Sequence, residues 1–528
     1  MDRRALLTTA VALTATACTG NGGDGATAAT TTTPTPTRPP TRSASQGRAA
    51  TTSAGAAPDW NALARGLDGK LVRPGDAAYP TARQLYNTRF DSLKPAAVAY
   101  VAGEDDVKEC LAYAKAHRTP VSIRNGGHSY AGWSSGNGRL VIDVSALNRV
   151  APDGSIGAGA KLIDVYTTLA RSGRTIPAGS CPSVGVSGLT LGGGHGVTSR
   201  AYGLTCDSLT SATIVTADGK VLTASAKENK ELFWALRGAG NGNFGVVTRL
   251  RFRTHPTPPS VTAYLTWPWS KAAAVLAAWQ KWGPAQPDEL WSSAHLAAGP
   301  GGRTPTLSVA AFSLGSESDL RNALDRLADQ VGSPARSVSV RRRSYQDAML
   351  GYAGCSTLSQ AQCHLPGTTP GRTKQGALQR ETYAAASDFF DRELSPAGLR
   401  ALIAAAEAFS RIAPGQGGGG GSIALTALGG AINRVDPLAT SFVHRRSRVL
   451  AQYIGAWRPG TAGSAQQAWL KNAHASMRRH ASGAAYQNYV DPTLPDWRRA
   501  YYGPAADRLT RLKRQYDPDR LFNFPQAL

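Results

Sequence analysis

Three glycine-rich stretches hold the residues that could do chemistry. The first is Arg124-Asn125-Gly126-Gly127-His128-Ser129-Tyr130. The second, Gly179-Ser180-Cys181-Pro182-Ser183-Val184-Gly185, runs on through Gly188 to Gly192-Gly193-Gly194-His195-Gly196. The third is Asn241-Gly242-Asn243-Phe244-Gly245-Val246-Val247. Glycine has no Cβ, so backbone N–H groups in such loops can come close to an anion or a flat ring. Cys181 sits in a Gly/Pro/Ser turn without apolar periodicity, unlike a core cysteine. His128 taken alone reads more readily as a loop histidine satisfied by hydrogen bonds than as a functional group. No GxxxxGK[ST] occurs and no GxGxxG follows the first strand, which disfavours a nucleoside triphosphatase and a Rossmann dinucleotide fold. No CxxC pair or histidine cluster has metal-ligand spacing, so no metal site is expected. The residues alone specify a large glycine-rich cleft for a cofactor or ligand.

The elements that must position these loops alternate at first. Strands are expected at 97–101, 120–124, 140–144, 211–216 and 221–224, with helices at 105–117 and 162–172. From about Thr257 the pattern changes. Strands are expected at 261–266, 307–313, 337–341, 422–428 and 449–457, with helices at 271–282 (capped by Ser270), 317–331 and 396–413. This suggests an antiparallel sheet with helices on one face. The run Gly415–Gly421 reads as a flexible linker. Cys355 and Cys363 could close a short disulfide, while Cys110 and Cys206 read as core.

Composition bounds the class. The chain has 528 residues, of which Gly 57 and Pro 32 make about a sixth, too few for a low-complexity chain. Hydrophobic residues at 42% suffice for a large core. The formal charge of +23 raises nucleic acid as a partner, but the cations are scattered and no nucleic-acid-binding motif occurs. Residues 1–18 resemble a twin-arginine export signal, with Arg3-Arg4, an apolar run Ala5–Ala17 and a lipobox-like Cys18. A lipid on Cys18 would be the sole membrane attachment, and localisation is expected to be extracellular or at the cell surface. Residues 19–58, rich in Thr, Pro, Gly and Ala, read as a disordered tether.

The three glycine-rich stretches together resemble the berberine bridge enzyme-like oxidases, FAD-linked enzymes related to glucooligosaccharide oxidases. So does the C-terminal part: Tyr486-Gln487-Asn488-Tyr489, Tyr501-Tyr502-Gly503, Tyr516-Asp517-Pro518, then Phe522 and Asn523. The resemblance implies an α+β fold. A two-part PCMH-type FAD-binding domain (78–257 and 475–528) would carry an inserted substrate domain (258–474) of antiparallel sheet backed by helices.

It also implies a bicovalent flavin, with His128 bonded to the 8α-methyl and Cys181 to C6. Arg124, Asn125, Gly126, Gly127, Ser129, Val184, Gly185, Gly188, Gly192, Gly193, Gly194, Gly245, Val247 and Asn523 would surround it. Tyr489 would be the base for the substrate hydroxyl, with Tyr486 and Tyr130 contacting substrate and Gln452 on the roof strand beside them. The family's lysine position on that strand is here Leu450, which leaves the activation of Tyr489 open. His195 is expected to pack near the flavin. The implied substrate is a small molecule or oligosaccharide, with molecular oxygen as acceptor, in a monomer. A dehydrogenase using another acceptor and a ring-forming tailoring enzyme stay open as alternatives.

Overall fold

The computed structural model describes residues 59–528; the expected export signal and tether lie outside the described residues. Strands β1 (Lys70–Val72), β2 (Ala97–Tyr100), β3 (Val121–Arg124) and β4 (Leu140–Asp143) form a first sheet in the order β1-β2-β4-β3. β2 and β3 both run parallel to β4, because the helix Glu104–Ala116 carries the chain back between β2 and β3. β2 and β4 are buried throughout, as expected of short apolar strands covered on both faces. β1 lies before residue 78, so this sheet starts earlier than the sequence suggests.

A second, antiparallel sheet has the order β5-β9-β7-β8, from β5 (Ser155–Gly157), β7 (Leu209–Val215), β8 (Val221–Ser225) and β9 (Val246–Phe252). A two-residue ribbon pairs β6 (Arg174–Thr175) with β10 (His255–Pro256). One apolar core joins both sheets. It also takes in Leu494, Tyr501, Leu509, Phe522 and Leu528, so the C-terminal segment packs back onto the first part of the chain.

The third sheet has seven antiparallel strands in the order β14-β11-β13-β12-β16-β17-β15. They are β11 (Ser260–Trp267), β12 (Leu290–Ala298), β13 (Thr306–Ser313), β14 (Ser337–Arg343), β15 (Tyr383–Phe390), β16 (Gly420–Ala427) and β17 (Val449–Ala456). Strand periodicity divides its two faces. Ala294, Leu296, Ile423, Leu425, Ala451 and Tyr453 enter a second core with the helices Ala272–Trp282, Glu317–Val331, Pro396–Ser410 and Ser464–Arg478. The alternate residues face the cleft.

Several details differ from expectation. Ser270 lies inside a 3-10 turn, Trp269–Lys271, and caps nothing. The helix begun at Pro396 ends at Ser410. The glycine run is only partly a linker, since Gly420 and Gly421 pair with Ala456 and Gly455 as the start of β16. A Cβ on Gly421 would run into the Phe409 ring, which explains a glycine in that strand. Strands β12 and β15 were not expected at all. Cys355 and Cys363 form a disulfide, and Cys110 and Cys206 are buried thiols. No helix among the described residues is long and apolar enough to cross a membrane.

Candidate active site

The two glycine-rich loops after β3 and before the helix Val186–Leu191 meet edge to edge. A Cβ on Gly126 would collide with the backbone of Ser183 and Gly185, and one on Gly185 with the Asn125 side chain. Asn125 is held in turn by Lys161, whose buried Nζ donates to Asn125 Oδ1 at 2.6 Å and to Ser145 Oγ at 3.0 Å. Arg124 is fixed by a buried ion pair with Asp143 and donates to the Ala82 carbonyl at 2.7 Å. These contacts shape one wall of a cavity of about 420 Å³, within the usual range of ligand sites.

His128 lines this cavity, stacked on Tyr86 with centroids 4.0 Å apart. Its Nε2 lies 3.0 Å from Ser183 Oγ, which leaves Nδ1 as the other ring nitrogen. Burial, reinforced by the Lys161 ammonium, holds the ring down to about 3, so it is neutral at physiological pH. Arg124, Asn125, Gly126, Gly127, Ser129, Cys181, Val184, Gly185, Gly188, Gly245, Val247 and Asn523 line the same cavity.

Gly192, Gly193 and Gly194 stand behind the lining instead. They let the segment pass close to the C-terminal tyrosine loop: the Gly194 N–H, at φ +81°, donates to Tyr486 Oη at 2.8 Å. A Cβ on Gly192 would overlap Asn488, which itself donates to Tyr486 Oη at 2.9 Å and accepts from Asn241 at 2.8 Å.

Tyr489 stands among three rings. It stacks on Tyr130 at 5.5 Å with planes 1° apart, meets Tyr486 edge-on at 4.9 Å, and meets His195 edge-on at 5.7 Å. Its Oη is 2.7 Å from His195 Nε2. His195, expected to pack near the flavin, also hydrogen-bonds Tyr489. Burial pushes the Tyr489 phenol above its ordinary value with no opposing charge, and burial alone takes His195 down to about 4.

The cleft-facing residues of the third sheet roof this cluster. Trp291, Ser293 and His295 of β12, Ser422, Ala424 and Thr426 of β16, and Gln452 and Ile454 of β17 line the cavity. His295, Ala424 and Gln452 share one rung of the sheet. Sequence reasoning found Gln452 but missed the β12 residues, although the alternation Trp291, Ser293, His295 was there to be read. No group of three or more potential metal ligands occurs among the described residues.

Comparison with known proteins identifies the class. An FAD binding domain model matches residues 95–225, and a model described as berberine and berberine like matches 485–528. The FAD-linked oxidoreductase YgaK of Bacillus subtilis is 31% identical over 88% of this chain and 97% of its own. The chain belongs to the berberine bridge enzyme-like FAD-linked oxidoreductases. A xylooligosaccharide oxidase of Thermothelomyces thermophilus is 30% identical over 82% of this chain and 87% of that one. Among solved structures, Physcomitrella patens BBE-like 1 superposes with a TM-score of 0.78 at 30% identity, covering 88% of this chain and 98% of that one.

The cavity of this berberine bridge enzyme-like oxidoreductase fits a flavin nucleotide on its own residues. His195 Nδ1, Asn241 Oδ1, Trp291 Nε1, Gln487 Oε1 and Gln526 Oε1 are buried in its lining without a protein partner. Buried polar atoms seldom stay unpaired, so this lining is suited to a large ligand rich in donors and acceptors. Gly188 offers bare backbone there, with nothing within 4 Å of the place its Cβ would take. A flat ring can lie directly on such a surface.

Proposed function

We propose that this protein is an exported FAD-dependent oxidase that removes a hydride from a hydroxyl-bearing carbon of a carbohydrate, with the flavin bonded to His128 and Cys181. The observation that carries this reading is the Tyr489 cluster, set in the same cavity as His128 and Cys181 and roofed by hydroxyl and amide side chains. When bound, the flavin takes up the hydride and passes the electron pair to molecular oxygen, yielding hydrogen peroxide.

The chain's own groups do the rest. His128 would bond through Nδ1, which is free to do so while Nε2 is engaged with Ser183, and its low pKa keeps the nitrogen lone pair available. Cys181 lines the same cavity, where its sulfur would bond flavin C6. Tyr489 receives the hydroxyl proton at Oη. The Tyr130 ring, parallel to Tyr489, offers a stacking face to a sugar ring, and Ser293, Ser422, Thr426 and Gln452 offer hydrogen bonds to its hydroxyls. Among the described residues no charged side chain of the roof lines the cavity, which suits a neutral polyol. The xylooligosaccharide oxidase among the relatives supports the same class.

The test has two readings. Acid-precipitated protein should stay yellow and carry a flavin-sized mass addition; a colourless pellet overturns the covalent assignment. Oxygen uptake with peroxide release should follow xylobiose or cello-oligosaccharides. Turnover of benzylic alcohols with all sugars inert would overturn the substrate class.

A further inference from the structure

We infer that His195 is the positioning residue that takes the proton of Tyr489 while Tyr489 takes the proton of the substrate hydroxyl. This rests on the reading of Tyr489 as the base.

The difficulty it resolves is electrostatic. A phenol acts as a base at neutral pH only if its anion is stabilised or if its own proton leaves in the same step. Burial opposes a Tyr489 phenolate, and among the described residues no cation offsets it. On the roof strand the side chain two residues before Gln452 is Leu450, packed in an apolar cluster with Phe389, Phe442 and Tyr486. Gln452 itself is committed to the Tyr130 hydroxyl at 2.7 Å, not to Tyr489. The group that does meet Tyr489 Oη is His195 Nε2, at 2.7 Å. The titratable rings facing His195 are Tyr486, at 5.6 Å, and Tyr489, at 5.7 Å, and neither is ionised near neutrality. Among the described residues no carboxylate or cation acts on the imidazole, and burial keeps it neutral and able to accept.

The step balances. The substrate C–H bond breaks with its electron pair, which leaves as hydride to the flavin. The substrate O–H bond breaks and its proton goes to Tyr489 Oη. The Tyr489 O–H bond breaks and that proton goes to His195 Nε2, while the substrate gains a C=O bond. One positive charge appears on the imidazole as one negative charge leaves the substrate with the hydride. Tyr489 stays neutral throughout.

His195→Gln separates this from a packing role, since an amide oxygen accepts the Tyr489 hydrogen bond but does not take up the proton. The measurement is anaerobic flavin reduction by xylobiose across pH in stopped flow, with bound-flavin absorbance as the check on folding. In His195→Gln the reduction constant at pH 7 should fall about 10²-fold and then rise about tenfold per pH unit as Tyr489 is forced to ionise. The unaltered enzyme should be flat from pH 6 to 9. A His195→Gln enzyme with the wild-type constant and a flat profile overturns the inference. Should that variant lose flavin, the same profile is read on His195→Asn. Tyr489→Phe distinguishes the underlying reading. If that variant is reduced as fast as wild type, Tyr489 is not the base, whatever His195→Gln does.

Discussion

Gln452 donates its side-chain N–H to the Tyr130 hydroxyl at 2.7 Å, tying the roof sheet to the His128 loop across 322 positions of sequence. The Tyr130 ring lies parallel to Tyr489 and edge-on to Tyr383 at 5.2 Å. A roof residue thus sets the ring against which Tyr489 is stacked.

Gln452→Leu should therefore harm catalysis without touching the cofactor. It leaves the Tyr130 hydroxyl unpaired beneath an apolar side chain, a penalty of about 1–3 kcal/mol. The expected result is a kcat/KM lower by about tenfold or more with unchanged flavin content. Full activity in Gln452→Leu would show that the Tyr130 ring is held by its aromatic neighbours alone.

Two glycines in one helix-and-loop segment should respond oppositely to the same methyl group. Gly188→Ala meets no protein atom, so the fold should be unaffected while flavin loading falls, because the methyl projects into the cavity. Gly192→Ala, from behind the lining, would overlap Asn488 and Asn241, which line the cavity. It should retain flavin but displace the Asn241–Asn488–Tyr486 chain and lower kcat. Absorbance at the flavin band, normalised to protein, reads the difference. Equal flavin content in the two variants would mean that Gly188 does not face the ring.

His128→Ala should leave flavin attached through Cys181 alone, with slower turnover, and Cys181→Ala should leave it attached through His128 alone. Only the double variant should release flavin on denaturation. Release by either single variant would show that one bond, not two, holds the cofactor.

Acid should weaken the fold partly through His444. It stacks on Phe389 at 4.3 Å and its Nε2 donates to the Tyr501 carbonyl at 3.0 Å, and burial lowers its pKa to about 3. The unfolded chain protonates this ring near 6.5, so unfolded protein gains protons first as pH falls. The contribution is complete above about 6.5 and is lost progressively down to about 3, by on the order of 1 kcal/mol per pH unit. His364 and His474 run the other way, because burial is outweighed by Asp164 and Asp388 respectively, which raise them. Melting temperatures at pH 7 and 4.5 should lie closer together in His444→Gln than in wild type. An unchanged gap would remove His444 from the acid response.

The parts of the fold most legible in the sequence were those governed by short-range rules. β2 and β4 are unbroken apolar runs, and the helix Glu104–Ala116 carries three acidic residues in its first turn. β15 was invisible because Tyr383–Phe390 is buried on both faces and filled with Ala and Ser, so neither alternation nor β-branched residues mark it. β12 does alternate, but its cleft-facing Ser293 and His295 read as loop residues. In the site, His128, Cys181 and Tyr489 stood out through their motifs. The contact of Tyr489 with His195 spans 294 positions and leaves no local trace.

Val184 should govern how fast oxygen reaches the reduced enzyme. It is the third residue after Cys181, the position at which the family resemblance places valine in oxidases and a longer Leu or Ile in dehydrogenases. In the structure Val184 lines the cavity, and its backbone is pinned, the N–H donating to Cys181 at 3.3 Å and the carbonyl accepting from Leu162 at 3.0 Å. With the backbone held, a side chain longer by one methylene has nowhere to go but into the cavity, since interiors of this density yield little volume. Val184→Leu should therefore slow reoxidation in air while leaving flavin reduction by substrate largely intact. Stopped flow separates the two halves: anaerobic reduction first, then mixing of reduced enzyme with oxygenated buffer. An unaffected reoxidation rate in Val184→Leu, or slow reoxidation in the unaltered protein, would show that oxygen arrives by another path and that Val184 only packs beneath the ring.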